Sequence, residues 1–470
     1  MKHGSVRKFF LRLALLIGAL VAALAVFILE ENIRGRILLS RYKTELRAKG
    51  EKLTLAELDL APLHAESNDV AILVATGVDL LPFGNPRPDN AILPASITPI
   101  LARVEPLTHS DKPLLAVDYE SYPRVRNFEE VKALFGVAGW LSVAALDAAR
   151  RGDRIGAVER VSEIISFGKR LRHERVQTSQ HDRVNLLIRA LDVSWRLLQT
   201  NGWIDDELAR FQQVWSEPFP LDDVLDIDEV ERAMQLRVVD RRQASISEWW
   251  KYVRANMSDR EDDDDRYPFS LLADVAAVAD GIWYLTQINS EERRLLERWQ
   301  IRMEAGRRVV RAGAVCEVFR HFGQSPEAGG RPDSAQIHEW QSASPGNALL
   351  IVAMQIDTRR EMTVAATALK RYQLRHGSLP ATLAALVPEF LTTAPRDWMD
   401  GQPLRYRLIN DAQVLLYSVG RDCKDDGGDS STVQEHRPED ILFIRSPWTA
   451  MWRGRDAVWP QPATPADLAH

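Results

Sequence analysis

Hydrophobic and polar residues follow three different patterns along the chain. Residues 13–29 form one uncharged apolar run. From residue 127 to about residue 213, apolar residues recur at three- and four-residue steps, which predicts amphipathic helices. Residues 404–408 alternate apolar and basic side chains, as a half-buried strand does. We therefore expect a mainly α protein with an N-terminal transmembrane helix, a body of α-helical hairpins, and a small C-terminal α+β domain with an antiparallel sheet.

The apolar run predicts a membrane anchor, because it approaches the roughly 20 residues that a helix needs to cross a bilayer. We expect residues 9–29 to contact the lipid bilayer. Lys2, Arg7 and Lys8 favour a cytoplasmic N-terminus. A cleaved signal peptide, ending near Ala23-Leu24-Ala25, is the alternative, but the apolar run continues to residue 29 and favours an uncleaved anchor. Both readings predict export; with the anchor retained, we expect a single-pass inner (cytoplasmic) membrane protein with its soluble part in the periplasm or at the cell exterior.

The positions of proline, glycine and charged residues along the chain predict the domain organisation. Nine prolines between residues 61 and 123 argue against a helix there and predict an extended connector. The break at residues 151–153, flanked by alanines, predicts a close helical hairpin that weakly resembles one tetratricopeptide repeat. The predicted segments are a cytoplasmic tail and anchor at 1–30, a juxtamembrane helix and connector at 31–123, a helical body at 124–322, a linker at 323–346, a head at 347–446 and a tail at 447–470.

Composition narrows the function classes. The net charge of −6 gives no electrostatic support for nucleic-acid binding, and we expect none. The two cysteines, Cys316 and Cys423, would be able to pair outside the cytoplasm, but nothing in the sequence requires it, and two unpaired cysteines are favoured. No common catalytic motif is present. His173 and His181 lie too far apart along a helix for a metal pair and are interpreted as surface histidines.

An ordered set of residues in the C-terminal part resembles the head of the major pseudopilins of type II secretion systems. The helix that ends in this region carries Ala368, Tyr372, Gly377 and Pro380, followed by Leu386-Val387. The turn and loop residues follow in the same order as in that family: Asp397-Trp398, Gly401, Pro403, Tyr406, Tyr417 to Asp422, and Asp440-Ile441. The resemblance covers about 100 of the 470 residues and implies a helix followed by a small antiparallel sheet. Residues 32–46 resemble the opening of membrane-anchored bacterial proteins whose activity is not established.

The same resemblance implies a calcium site in the acidic loop. Asp422 and Asp440 match the acidic positions of the family, and Asp425, Asp426 and Asp429 are further candidate ligands beside Gly427-Gly428. Ca²⁺ prefers six to eight oxygen ligands, and glycine lets backbone carbonyls turn inward. Cys423 stands where the family has glycine, and the loop is longer here. An acidic, solvated turn without an ion is the alternative.

Two functions from different classes remain. The favoured one is a non-enzymatic, membrane-anchored envelope protein with a structural or protein-interaction role, linked to secretion or surface assembly. The alternative is an envelope hydrolase without a recognisable motif. A pocket with converging titratable residues between residues 127 and 322 would favour the enzyme, and an exposed apolar groove would favour the binding protein.

Overall fold

The computed structural model describes most of the chain: residues 3–60, 62–63, 67–86, 92–121, 126–244, 270–316, 345–410, 413–431, 451–452 and 454–459. Its contacts divide the chain into two compact units. The first consists of Met1–Leu60 and Glu229–Ile301, and the second of Ala61–Asp228 and Arg302–His470. Residues 323–344 of the predicted linker lie outside the described residues, whereas residues 345 and 346 begin a helix.

The first unit contains the long helix α1, His3–Ala48, and parts of α8, Asp222–Ala244, and α9, Ser270–Ala312. The predicted anchor and juxtamembrane helix are therefore one continuous helix, which ends just before Gly50 with its φ of 86°. A buried polar contact fixes the end of α1. Arg232, fully buried, donates to Glu51 Oε2 at 3.0 Å and to the Lys52 carbonyl at 2.8 Å.

The second unit is a helical body joined to a small sheet. Its helices are α2 Ser67–Leu80, the single turn α3 Thr98–Leu101, α4 Phe128–Arg150, α5 Arg154–Arg170, α6 Gln177–Leu198, α7 Asp205–Val214 and α10 Pro345–His376. The predicted hairpin is confirmed, since α4 and α5 are joined by residues 151–153. Asp153 caps α5 by accepting from the Gly156 N–H, and Ala148 and Ala157 are buried in the body. The likeness to a tetratricopeptide repeat stays a prediction.

The expectation that residues 61–123 contain no helix is wrong. α2 occupies Ser67–Leu80 and packs against α4. The reason is spacing: no proline lies between Pro62 and Pro82, so a helix of 14 residues fits between them. The two helices approach closely at Gly77, where a Cβ atom would lie 2.6 Å from the Cβ of Ala133.

The sheet has three antiparallel strands in the order β1 Arg405–Asn410, β2 Gln413–Ser418 and β3 Ala457–Val458. The first two confirm the predicted hairpin, with Arg405 opposite Tyr417. The third comes from the segment predicted as a tail. Asp397, fully buried, ties the sheet to the preceding turn: its carboxylate accepts from the N–H groups of Met399 and Val419 at 2.9 and 3.0 Å.

One helix of the described residues, α4, is long and apolar enough to cross a membrane, judged by length and composition alone. About 72% of its most apolar window is buried inside the protein, as in the core helix of a folded body. It contributes Leu134, Leu141 and Val143 to the hydrophobic core. The membrane-spanning role expected for residues 13–29 stays a prediction.

Candidate ligand-binding cleft

A cleft of about 1030 Å³ opens in the second unit. The end of α5, the start of α8, part of α6 and the loop between α7 and α8 line it, and α10 forms part of the floor with Ile356, Asp357 and Arg360. Its volume lies at the upper end of the range of about 300–1,000 Å³ that ligand pockets have. The cleft is therefore the candidate functional site among the described residues.

Two charged residues of α10 fix the wall formed by the α7–α8 loop. The Oδ1 atom of Asp357 accepts from the Phe219 N–H at 2.7 Å and from Arg360 Nε at 3.0 Å. Arg360 also donates to the carbonyl of Trp215 at 3.0 Å. Since these bonds satisfy backbone groups of a loop rich in proline, the pair holds the wall in place.

A second set of charges also lines the cleft, in which Arg183 is buried and Arg172 is exposed. Arg183 of α6 and Arg172 both bind the carboxylate of Asp223, with N–O distances of 2.9 Å. The Arg183 guanidinium also lies 4.1 Å from the centre of the Phe219 ring, which is a cation–π contact. Removing one partner of the Arg183–Asp223 pair leaves an uncompensated charge, so these two residues are structurally committed.

Burial shifts the pKa values of carboxyl groups that line the cleft. It raises the pKa of Asp357 to about 6, although the neighbouring Arg360 opposes the shift. The Oδ2 atom of Asp357 is buried without a hydrogen-bond partner. Burial, together with the carboxylates of Asp223 and Asp222, also raises the pKa of Asp226. The floor thus holds a carboxyl group that changes its protonation near neutral pH.

The structure places the predicted calcium ligands differently. Asp425 accepts from the Tyr417 hydroxyl at 3.0 Å, Asp429 accepts from the Ser431 N–H at 2.9 Å, and Asp440 lies outside the described residues. Burial and the carboxylates of Asp426 and Asp456 raise the pKa of Asp422.

Asp456, a residue that the sequence did not single out, organises the acidic loop. Its carboxylate is fully buried and accepts from the N–H groups of Gly428 at 2.7 Å and Asp429 at 3.1 Å. The loop therefore turns N–H groups toward this carboxylate, where a calcium site requires inward carbonyls. Within the described part of the chain, no group of three or more His, Cys, Asp or Glu residues is arranged to hold a metal. The calcium site stays a prediction.

Both cysteines have partners, against the expectation that they are unpaired. Cys316 and Cys423 form a disulfide with a Cα–Cα distance of 5.5 Å. Their separation of 107 residues hid this contact, because sequence spacing does not reveal which loops meet. Cys423 has a φ of 60°, a left-handed conformation that favours glycine.

The two histidines have different environments. His173 is exposed and lies at the mouth of the cleft, whereas His181 is half-buried with Nδ1 2.9 Å from the carbonyl of Gln177. Burial lowers the pKa of His181. The interpretation as surface residues is therefore correct for His173 and wrong for His181.

In the sequence, the cleft residues of α10 are marked only by charged side chains within an apolar helix pattern. Arg359, Arg360 and Glu361 interrupt an otherwise apolar helix face. The structure gives each buried arginine a carboxylate partner: Arg360 binds the buried Asp357, and Arg359 binds the half-buried Asp192 at 3.1 Å. Charges inside an apolar periodic pattern were the available signal, but which loop they hold depends on tertiary contacts.

No protein-family model, no curated protein and no solved structure matches this chain. The resemblance to pseudopilin heads therefore rests on the residues quoted above, and the function rests on the geometry of the cleft and the anchor.

Proposed function

We propose that this chain is a single-pass membrane protein of the cell envelope that binds a protein partner through the cleft of its second unit. Residues 9–29 would hold it in the bilayer, and the rest would be exported. The side chains of Leu15, Leu16, Val26 and Leu29 are each at least 60% exposed on α1, and a lipid bilayer would cover such a surface. A role in secretion or surface assembly follows from the pseudopilin-like head.

The disulfide supports export. Disulfides persist in oxidising compartments and are rare in the cytosol. Alkylation of the protein under non-reducing conditions, directly from cells, tests this step. Exported protein keeps Cys316 and Cys423 blocked until a reductant is added. Free thiols in freshly lysed cells would contradict export.

The cleft carries the binding role. It combines a volume suited to a ligand with a floor of buried, mutually paired charges, including Asp357 with Arg360 and Arg183 with Asp223. Pre-formed, rigid walls lower the entropic cost of binding. This combination is the single observation on which the proposal depends.

Crosslinking in membranes, followed by detergent extraction and capture, tests the binding role. We expect one partner to be recovered with the wild type and with Arg210→Ala, whose side chain is exposed on α7 outside the cleft. The triple variant Lys169→Ala/Arg172→Ala/Arg175→Ala should lose it. Reproducible recovery of this chain alone would count against the proposal.

A hydrolase is the second candidate function, favoured by the raised pKa of Asp357 at the floor of the cleft. Purified protein would be assayed with ester, peptide and phosphodiester substrates. Activity lost in Asp357→Asn, in which an amide oxygen still accepts from Phe219, would support the enzyme. Absence of turnover in the wild type would leave the binding role.

A further inference from the structure

The mouth of the cleft has rims of opposite charge. Lys169, Arg172 and Arg175 form the basic rim, at three-residue steps over the end of α5 and the turn that follows it. The acidic rim consists of Glu217, Asp223 and Asp226, on the α7–α8 loop and the start of α8.

Three ion pairs cross the mouth in the order of the sequence. Lys169 Nζ lies 2.6 Å from Glu217, Arg172 lies 2.9 Å from Asp223, and Arg175 lies 3.7 Å from Asp226. The first basic residue therefore meets the first acidic residue, and the last meets the last.

The outer pairs are exchangeable, whereas the floor is fixed. The side chains of Lys169 and Glu217 are 52% and 69% exposed, and those of Arg175 and Asp226 are 28% and 56% exposed. Water solvates such charges well, so their mutual attraction contributes little to stability and a ligand can replace it at low cost. Arg183 and Asp357, by contrast, have side chains 5% and 0% exposed.

From this geometry we infer that the cleft binds a partner segment that carries both acidic and basic side chains, which replaces the two outer ion pairs across the mouth, Lys169–Glu217 and Arg175–Asp226. The inference rests on the proposed binding function and names its ligand class. Acidic side chains of the segment pair with the basic rim, and basic side chains pair with the acidic rim.

Ligands of a single sign fit the cleft less well. A purely acidic segment would leave Glu217 and Asp226 facing like charge, and a purely basic one would do the same to Lys169 and Arg175. A small zwitterion, such as a free amino acid, replaces one pair at most. A polypeptide segment replaces several at once and fills the remaining volume against walls that include Pro218 and Pro220.

Fluorescence anisotropy with the full-length protein in detergent tests the inference. The probes are fluorescein-labelled peptides of equal length: one with equal numbers of Glu and Lys, one with Glu only, one with Lys only, and one of Ser and Gly. We expect the mixed-charge peptide to bind most tightly. Its affinity should weaken at about 1 M salt, where the Debye length is about 3 Å.

Variants of the rims give the decisive comparison. Lys169→Ala and Asp226→Ala should each weaken the mixed-charge peptide by about threefold, as expected for exposed pairs, and the triple basic-rim variant by tenfold or more. Arg210→Ala should bind as the wild type does. Circular dichroism melting must show that each variant is folded. Where a variant is not folded, the charge swap Lys169→Glu/Glu217→Lys takes its place, and this swap should retain binding.

Three outcomes would overturn the inference: the Glu-only or Lys-only peptide binding as tightly as the mixed one, an unchanged affinity in the triple variant, or no mixed-charge binding at all. The proposed function fails separately. If crosslinking recovers a partner that depends on the cleft while the mixed-charge peptide does not bind, the binding role stands and the ligand class is wrong.

Discussion

The disulfide between Cys316 and Cys423 links the segment after α9 to the acidic loop beyond β2, and its removal should destabilise the second unit. Hydrogen bonds also hold the Cys316 end of this crosslink in place. The Cys316 N–H donates to the carbonyl of Met399 at 2.8 Å, and Arg396 donates to the carbonyl of Gly313 at 2.9 Å. The disulfide adds a covalent constraint on the unfolded chain to these native contacts.

The entropy of loop closure sets the size of this destabilisation. The crosslink spans 107 residues, and the chain-entropy relation gives about 4.8 kcal/mol at 25 °C for a loop of this length. Residual structure in the unfolded chain reduces this value, so about 2–5 kcal/mol is expected. A second effect acts at Cys423 alone. Its φ of 60° costs a residue with a side chain about 1 kcal/mol relative to glycine.

Two double variants separate the effect of the crosslink from the effect of the backbone conformation at Cys423. Cys316→Ser/Cys423→Ser loses the crosslink and keeps a side chain at the left-handed position. Cys316→Ser/Cys423→Gly loses the crosslink but relieves the backbone strain, so it should be the more stable of the two by about 1 kcal/mol. Both should be less stable than the oxidised wild type. Urea unfolding of the detergent-solubilised protein, followed by tryptophan fluorescence, measures all three, and reduced wild type is the control.

Equal unfolding free energies for oxidised and reduced wild type would refute the loop-closure argument. If the glycine variant is no more stable than the serine variant, the argument from the left-handed conformation is wrong, even where the crosslink effect is found.

Three further outcomes are expected. Gly77→Ala should lower the melting temperature, because the new Cβ would overlap Ala133, whereas Gly136→Ala meets no atom within 4 Å and should raise it slightly. Burial raises the pKa of Glu174 to about 7, so its protonated form favours the folded state; wild-type stability relative to Glu174→Gln should therefore fall as the pH rises from about 4.5 to about 7 in urea titrations. If the predicted calcium site forms, millimolar calcium should raise the melting temperature of the wild type more than that of Asp422→Asn, and no shift on adding calcium or chelator would rule the site out.

Local patterns predicted much of the secondary structure. The break between α4 and α5 follows from the glycine and the capping aspartate at 152–153, and the β1–β2 hairpin follows from alternation around residue 406. The prolines of residues 61–123 were misinterpreted because their average density hid the gap occupied by α2.

The helical class, the hairpin turns, the strand pair and the apolar run of residues 13–29 can all be predicted from local patterns, since each depends on neighbours a few positions apart. Tertiary structure alone decided the contacts that join distant residues: the disulfide, the buried Asp456 beneath the acidic loop, and the cleft, where Phe219 binds Asp357 across 138 positions. The physical reason is that hydrophobic periodicity fixes which face of a helix is buried, but not which partner it meets. Buried charges find their partners only when that packing is complete.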